Sequence, residues 1–111
     1  MDTKTKSAAI AKLNDAFCQT FNGGRVMRTD GVAALSKEVQ QKLIAEVKAF
    51  SKFEKGNDPY CEHDFGSIKL EGAAFFWKID YYDLAMSQHS VDPANEEATL
   101  RILTIMRADE Y

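Results

Sequence analysis

Histidine, cysteine and proline each occur only twice in 111 residues, and this scarcity removes whole classes of protein. Two cysteines, Cys18 and Cys61, do not make a disulfide framework, and they form no C-x-x-C pair. The two histidines, His63 and His89, lack the H-x-x-x-H spacing of a helical zinc site. No apolar run approaches the roughly 18 residues a membrane span needs. The opening MDTKTKSAAIAK has no apolar core of the kind a secretory signal carries. A soluble, reduced, cytoplasmic protein is expected, with Cys18 as a small buried apolar residue and Cys61 as a bystander in a polar turn.

Motifs are missing as well. There is no G-x-S-x-G elbow, no Walker loop, no dinucleotide fingerprint and no convincing Cys–His pair. Gly23-Gly24 follows a helical pattern rather than a strand and lacks the Lys-Ser/Thr that reaches phosphate and metal. No basic stripe is interleaved with aromatics, so direct nucleic-acid binding is not expected. No cofactor is called for.

The composition that is present is that of an ordinary globular chain, 45% hydrophobic and 28% charged. At this length one domain spanning residues 1–111 is expected, able to bury roughly two thirds of its unfolded surface without metal or disulfide. The net charge of −3 is unevenly spread. Residues 1–51 carry eight Lys/Arg against five Asp/Glu, whereas residues 52–111 carry six against twelve. The acidic half either keeps the protein soluble or presents a face to a basic partner.

Ile10, Leu13, Phe17 and Phe21 recur at three and four residues and predict a helix from about Thr5 to Phe21, capped by Thr3, Thr5 or Ser7 and closed by Asn22-Gly23-Gly24. Arg25–Thr29 reads as a short edge strand, with Asp30-Gly31 as a turn and Val32–Leu35 irregular. A second amphipathic helix is predicted from Lys37 to about Phe50, with Ser36 as its cap and Val39, Leu43 and Val47 buried. Strands follow at about Asp64–Leu70 and Ala73–Tyr82, joined by Glu71-Gly72, and at about Ala98–Arg107. Gly66 marks a bulge or a close backbone approach. The last strand has apolar residues on both faces and reads as central. The elements do not alternate strand and helix, so the fold class is α+β: two amphipathic helices on one face of a three- to four-stranded, mostly antiparallel sheet.

The richest stretch is Asn57–Asp83, NDPYCEHDFGSIKLEGAAFFWKIDYYD. Phe75, Trp77, Ile79 and Tyr81 occupy the core face of its second strand, and Phe76, Lys78, Asp80 and Tyr82 the other. Tyr60, Phe76, Asp80, Tyr81, Tyr82, Asp83 and Tyr111 combine aromatic contact area with carboxylates, as an interface for a basic protein surface does. The alternative is that these rings only complete the core and rim of a small sheet. Glu62, His63 and Asp64, with Asp80, form the other constellation. Carboxylates and an imidazole are the groups a divalent metal or an acid–base mechanism needs. Alternation along the chain lets Glu62 and Asp64 converge but turns His63 away. The competing reading is that His63 or Asp64 bonds backbone groups and pins the turn.

LNDAF at Leu13–Phe17, GGRV at Gly23–Val26, GVAAL at Gly31–Leu35, NDPYCEHDFG at Asn57–Gly66, FWKIDYYD at Phe76–Asp83 and LTIMRADEY at Leu103–Tyr111 together resemble a family of short bacterial proteins. That family is catalogued as a domain of unknown function. The resemblance covers nearly the whole chain and implies no established activity, cofactor or catalytic residue. Its members occur among accessory genes of plasmids and prophages. That setting implies an anti-defence inhibitor, of anti-CRISPR or antirestriction type.

The expectation is therefore a small non-enzymatic protein-binding protein. Tyr60, Glu62, Asp64, Phe76, Asp80, Tyr82 and Asp83 would meet a basic partner surface, with no membrane contact, and a homodimer through the sheet stays open. A metal-dependent hydrolase or nuclease built on Glu62, His63, Asp64 and Asp80 is the alternative.

Overall fold

The computed structural model describes residues 2–111. Helix α1 spans Thr3–Thr20 and begins with Asp2, whose carboxylate accepts the Thr5 amide at 2.8 Å. It ends at Phe21, which adopts φ +60° and donates its amide to the Phe17 carbonyl. Both ends differ from expectation. The cap is Asp2, and the left-handed residue is Phe21 rather than a glycine. That conformation costs a bulky residue on the order of 1 kcal/mol. It is offset here because the ring packs against the core and under the Lys48 ammonium.

Strand β1, Gly24–Arg28, is followed by a one-turn helix α2 at Asp30–Ala33. The sequence suggests only a turn and an irregular lead-in there. The difference is tertiary: the Glu110 carboxylate, from the far end of the chain, accepts bonds from the Gly31 amide and the Thr29 hydroxyl. Helix α3 covers Lys37–Lys48, with the Ser36 hydroxyl accepting the Val39 amide. It stops short of Phe50, which turns its ring edge-on to Trp77 and Phe53.

Strands β2 (Phe65–Leu70) and β3 (Ala73–Tyr82) form a hairpin, and β4 covers Leu100–Arg107. The linking turn has positive φ at both Glu71 and Gly72, the twist that suits a tight hairpin. β4 starts two residues later than expected because residues 96–98 form a 3-10 turn capped by Asn95.

The sheet order is β1-β4-β3-β2. β1 runs parallel to β4, and the other pairs are antiparallel. This is the expected α+β class, with one parallel edge. The helices pack Ile10, Phe17, Val32, Leu43 and Val47 against Phe75, Trp77, Ile79, Leu103 and Ile105. β4 is central, and Ile102 and Met106 on its second face are buried too. No helix among the described residues is long and apolar enough to cross a membrane.

Candidate functional site

Residues 49–64 link α3 to the hairpin, and three groups fix the path of the last part, 58–64. The buried Asp58 carboxylate accepts the amides of Glu62 and His63, both at 3.0 Å. Cys61 and His63 take left-handed φ values of +56° and +58°. The His63 ring stacks on Phe53 at 4.0 Å, with Nδ1 2.8 Å from an Asp15 oxygen and Nε2 3.7 Å from Asp58. So Asp58, rather than His63 or Asp64, pins the turn through backbone groups, and His63 clasps the turn to α1.

Below this loop lies a buried polar chain. Asn14 of α1 is fully buried and Arg101 of β4 is 3% exposed. The Asn14 amide nitrogen donates to the Tyr81 hydroxyl at 2.8 Å and to the Glu62 carbonyl at 2.9 Å. Its oxygen accepts from Arg101 Nε at 2.7 Å. The Tyr81 hydroxyl donates to Glu62 Oε1 at 3.0 Å, and Arg101 donates to the Pro93 carbonyl. The guanidinium also lies 5.3 Å from the centre of the Tyr81 ring. No carboxylate among the described residues ion-pairs with it. Burial pushes the Tyr81 hydroxyl above its ordinary pKa and Arg101 below its own.

The first turns of α1 stand between two clefts. One, of 620 Å³, is lined by Glu62, Asp64, Tyr81, His89, Pro93 and Ile10, with Thr3, Lys6 and Ser7 at its helix wall. The other, of 780 Å³, is lined by His63, Asp15, Tyr60 and Cys61, with Lys4 and Lys12 among its helix residues. Glu62 and Asp64 thus converge and His63 faces elsewhere, as alternation implies. The left-handed residues, rather than a pleated strand, arrange this. Burial is the main cause that raises the Asp64 carboxyl to about 6, and the charges of Glu62, Asp58 and Asp80 add to it.

Asp64 also lines a 410 Å³ groove on the far side, with Tyr60, Phe65, Lys78, Asp80 and Tyr111. Tyr60 and Tyr111 are each 76% exposed. Phe76 packs against Phe65 and Tyr111 beside the groove. The structure therefore gathers Tyr60, Glu62, Asp64, Phe76 and Asp80 into one region. Tyr82 and Asp83 lie apart, lining neither cleft nor groove. Tyr82 forms a bridge to His89, and the Asp83 carboxylate accepts the Ser87 amide and hydroxyl at 2.9 and 2.8 Å. These bonds hold Asp83 below the ordinary carboxylate range. Asp80 ion-pairs with Lys78 at 2.8 Å, so its charge is already partly compensated. Among the described residues no three His, Cys, Asp or Glu side chains come together as a metal-holding group.

Three residues of this region escape a reading of motifs: Asn14, Asp58 and Arg101. The signal for two of them was present as polar residues at apolar positions. Asn14 sits four residues after Ile10 and three before Phe17, on the buried face of α1. Arg101 shares its strand face with Leu103 and Ile105.

The chain belongs to the family described as Protein of unknown function (DUF3768), whose model matches residues 28–110. That span holds Asp58, Glu62, His63, Asp64, Tyr81 and Arg101, whereas Asn14 and Asp15 precede it. No curated protein and no solved structure matches the chain.

Proposed function

We propose that this protein is a small non-enzymatic binding protein that docks an acidic, aromatic face on a basic surface of a partner protein in the cytoplasm. The observation that carries this reading is the placement of Asp64. It lines both the 620 Å³ cleft, with Glu62, and the tyrosine-flanked groove, with Asp80, Tyr60 and Tyr111, so it joins the two sets of residues. Exposed tyrosines supply contact area at low entropic cost, and carboxylates among them select a basic partner. The concrete form is an anti-defence inhibitor, of anti-CRISPR or antirestriction type, covering a nucleic-acid site on its target. Tyr82 and Asp83 are peripheral to this surface. Homodimerisation through the sheet is a separate arrangement, tested by molar mass across concentration.

The test is capture from host lysate with the wild type beside Asp64→Lys/Asp80→Lys, after the variant is shown to fold. A stoichiometric partner that the wild type holds, that salt weakens and that the variant loses is the expected result. Equal capture by both proteins sinks the acidic-face reading.

A hydrolase or nuclease is the second reading. It draws on the meeting of Glu62 and Asp64 in one cleft, with Asp64 able to carry a proton near pH 6. A calorimetric metal titration with no stoichiometric binding removes its metal-dependent form.

A further inference from the structure

We infer that the 620 Å³ cleft receives an arginine side chain of the partner, its guanidinium set against Glu62 and Asp64. The inference rests on the partner-binding reading and deepens it. The cleft lies within the size range of small-ligand sites, about 300–1,000 Å³.

The charge in the cleft points to a cation. Lys6, the ammonium on its wall, is engaged with Asp92 at 3.6 Å. The His89 Nδ1 lies 2.9 Å from the Ser90 carbonyl, a contact that is favourable with the proton on that nitrogen. Behind the cleft, Arg101 is linked to Glu62 by hydrogen bonds through Asn14 and Tyr81, with no direct ion pair. Asp64 has no ion pair among the described residues, and its own backbone amide is the donor that favours its charged form.

The geometry favours a planar fork over a point charge. One Glu62 oxygen is taken by the Tyr81 hydroxyl, which leaves its second oxygen and the Asp64 carboxylate for several N–H donors. Guanidinium supplies five such donors in a fixed plane, whereas an ammonium is a compact and more strongly hydrated charge. Ile10 and Pro93 give the methylene stem an apolar wall.

The site is also built in advance. Tyr81 is 6% exposed yet lines the cleft. Asn14 and Arg101, both buried, hold its ring and the Glu62 backbone in place. Groups fixed from behind in this way define a binding geometry before the ligand arrives.

The test uses the full chain and needs no partner. N-acetyl-arginine-N-methylamide is titrated by NMR beside the matching lysine, glutamate and citrulline compounds and spermidine. The expected result is saturable, millimolar-range binding of the arginine compound, with shifts at Tyr81 and His89. Lysine should bind at least threefold more weakly, with no binding of glutamate or citrulline. Asp64→Asn and Glu62→Gln, each checked for a native spectrum, should each weaken binding tenfold or more.

No saturable shift, equal binding of citrulline, or unchanged affinity in Asp64→Asn overturns the inference. Spermidine binding tenfold tighter than the arginine compound overturns the assignment to a partner side chain and points to a free polyamine. Because the probe is a small cation, its failure leaves the capture experiment with Asp64→Lys/Asp80→Lys standing as the judge of the wider face.

Discussion

The Tyr81 hydroxyl stands between Asn14 and Glu62, accepting a hydrogen bond at 2.8 Å from the first and donating one at 3.0 Å to the second. Through it, a buried chain that starts at the guanidinium of Arg101 ends at a carboxylate in an open cleft. The amide of Asn14 is the joint of that chain, because it is the group that touches Arg101, Tyr81 and the Glu62 backbone together.

Asn14→Ala should therefore be the costlier break. It leaves the Arg101 Nε–H and the Glu62 carbonyl without their partner, and a buried polar group left unpaired costs about 1–3 kcal/mol, more when it is charged. Tyr81→Phe keeps the ring under Arg101 and loses the hydroxyl alone, for about 1–2 kcal/mol. Urea unfolding of both variants gives the order. Equal losses would mean that Asn14 is not the joint.

Asp64 makes the folded state bind a proton more tightly than the unfolded chain, since its carboxyl rises from 3.8 to about 6 on folding. Its contribution to stability is complete below pH 4 and is lost as pH climbs through 6. At roughly 1.4 kcal/mol per unit, and allowing for partial exposure, the loss is about 1–3 kcal/mol. Asp2, Asp83 and Glu110, all lowered, act oppositely, their contributions being lost as pH falls below the ordinary carboxylate range. Asp64→Asn should then gain stability over the wild type at pH 8 relative to pH 4.5. A gap between the two proteins that stays constant with pH would contradict the raised carboxyl.

Gly66 lies against Trp77, the largest fully buried side chain of the core. A Cβ placed there would lie 2.2 Å from Trp77 Nε1 and 2.8 Å from Phe50. Trp77 is fully buried, with Phe50 and Phe53 both edge-on against it, so it has little room to move. Gly66→Ala should cost about 3 kcal/mol, at the upper end of overpacking. Trp77 fluorescence during denaturation reads it directly.

The two thiols should separate cleanly. Cys18 is buried, donates to the Val47 carbonyl at 3.1 Å, and is pushed by burial to about 12. Cys61 is exposed. A thiol reagent at pH 8 should label one cysteine in the native protein and two in denaturant. Labelling lost on Cys61→Ser identifies the first.

The two long helices, the hairpin and the central place of β4 were legible because each rests on local periodicity. Leu43 and Val47 repeat on one face of α3, and Phe75, Trp77 and Ile79 alternate along β3. What stayed hidden depends on residues far apart in the chain. The single turn of α2 is held by Glu110, some 80 positions away, and the parallel pairing of β1 with β4 has no local mark. At the site, Glu62 and Asp64 share a cleft as alternation suggests, but the left-handed Cys61 and His63 bring them there rather than a pleated strand. The role of Asp58 did not, because a residue before proline reads simply as turn chemistry. Asp80 and Asp83 looked like equal members of an acidic face. Lys78 and Ser87, their local partners, make them unequal.

β4 follows the other three strands in the chain, yet it lies between β1 and β3 in the sheet. On the ribosome, the hairpin of β2 and β3 can form as it emerges, but β1 has no strand to pair with until β4 is made. β1, and the edge of β3 that β4 covers, must wait unpaired through that interval. Pairing across so long a stretch is slow and leaves edges open to other chains. Synthesis at lower temperature, or with a holdase present, should therefore raise the soluble yield more than any change to the surface of the finished protein.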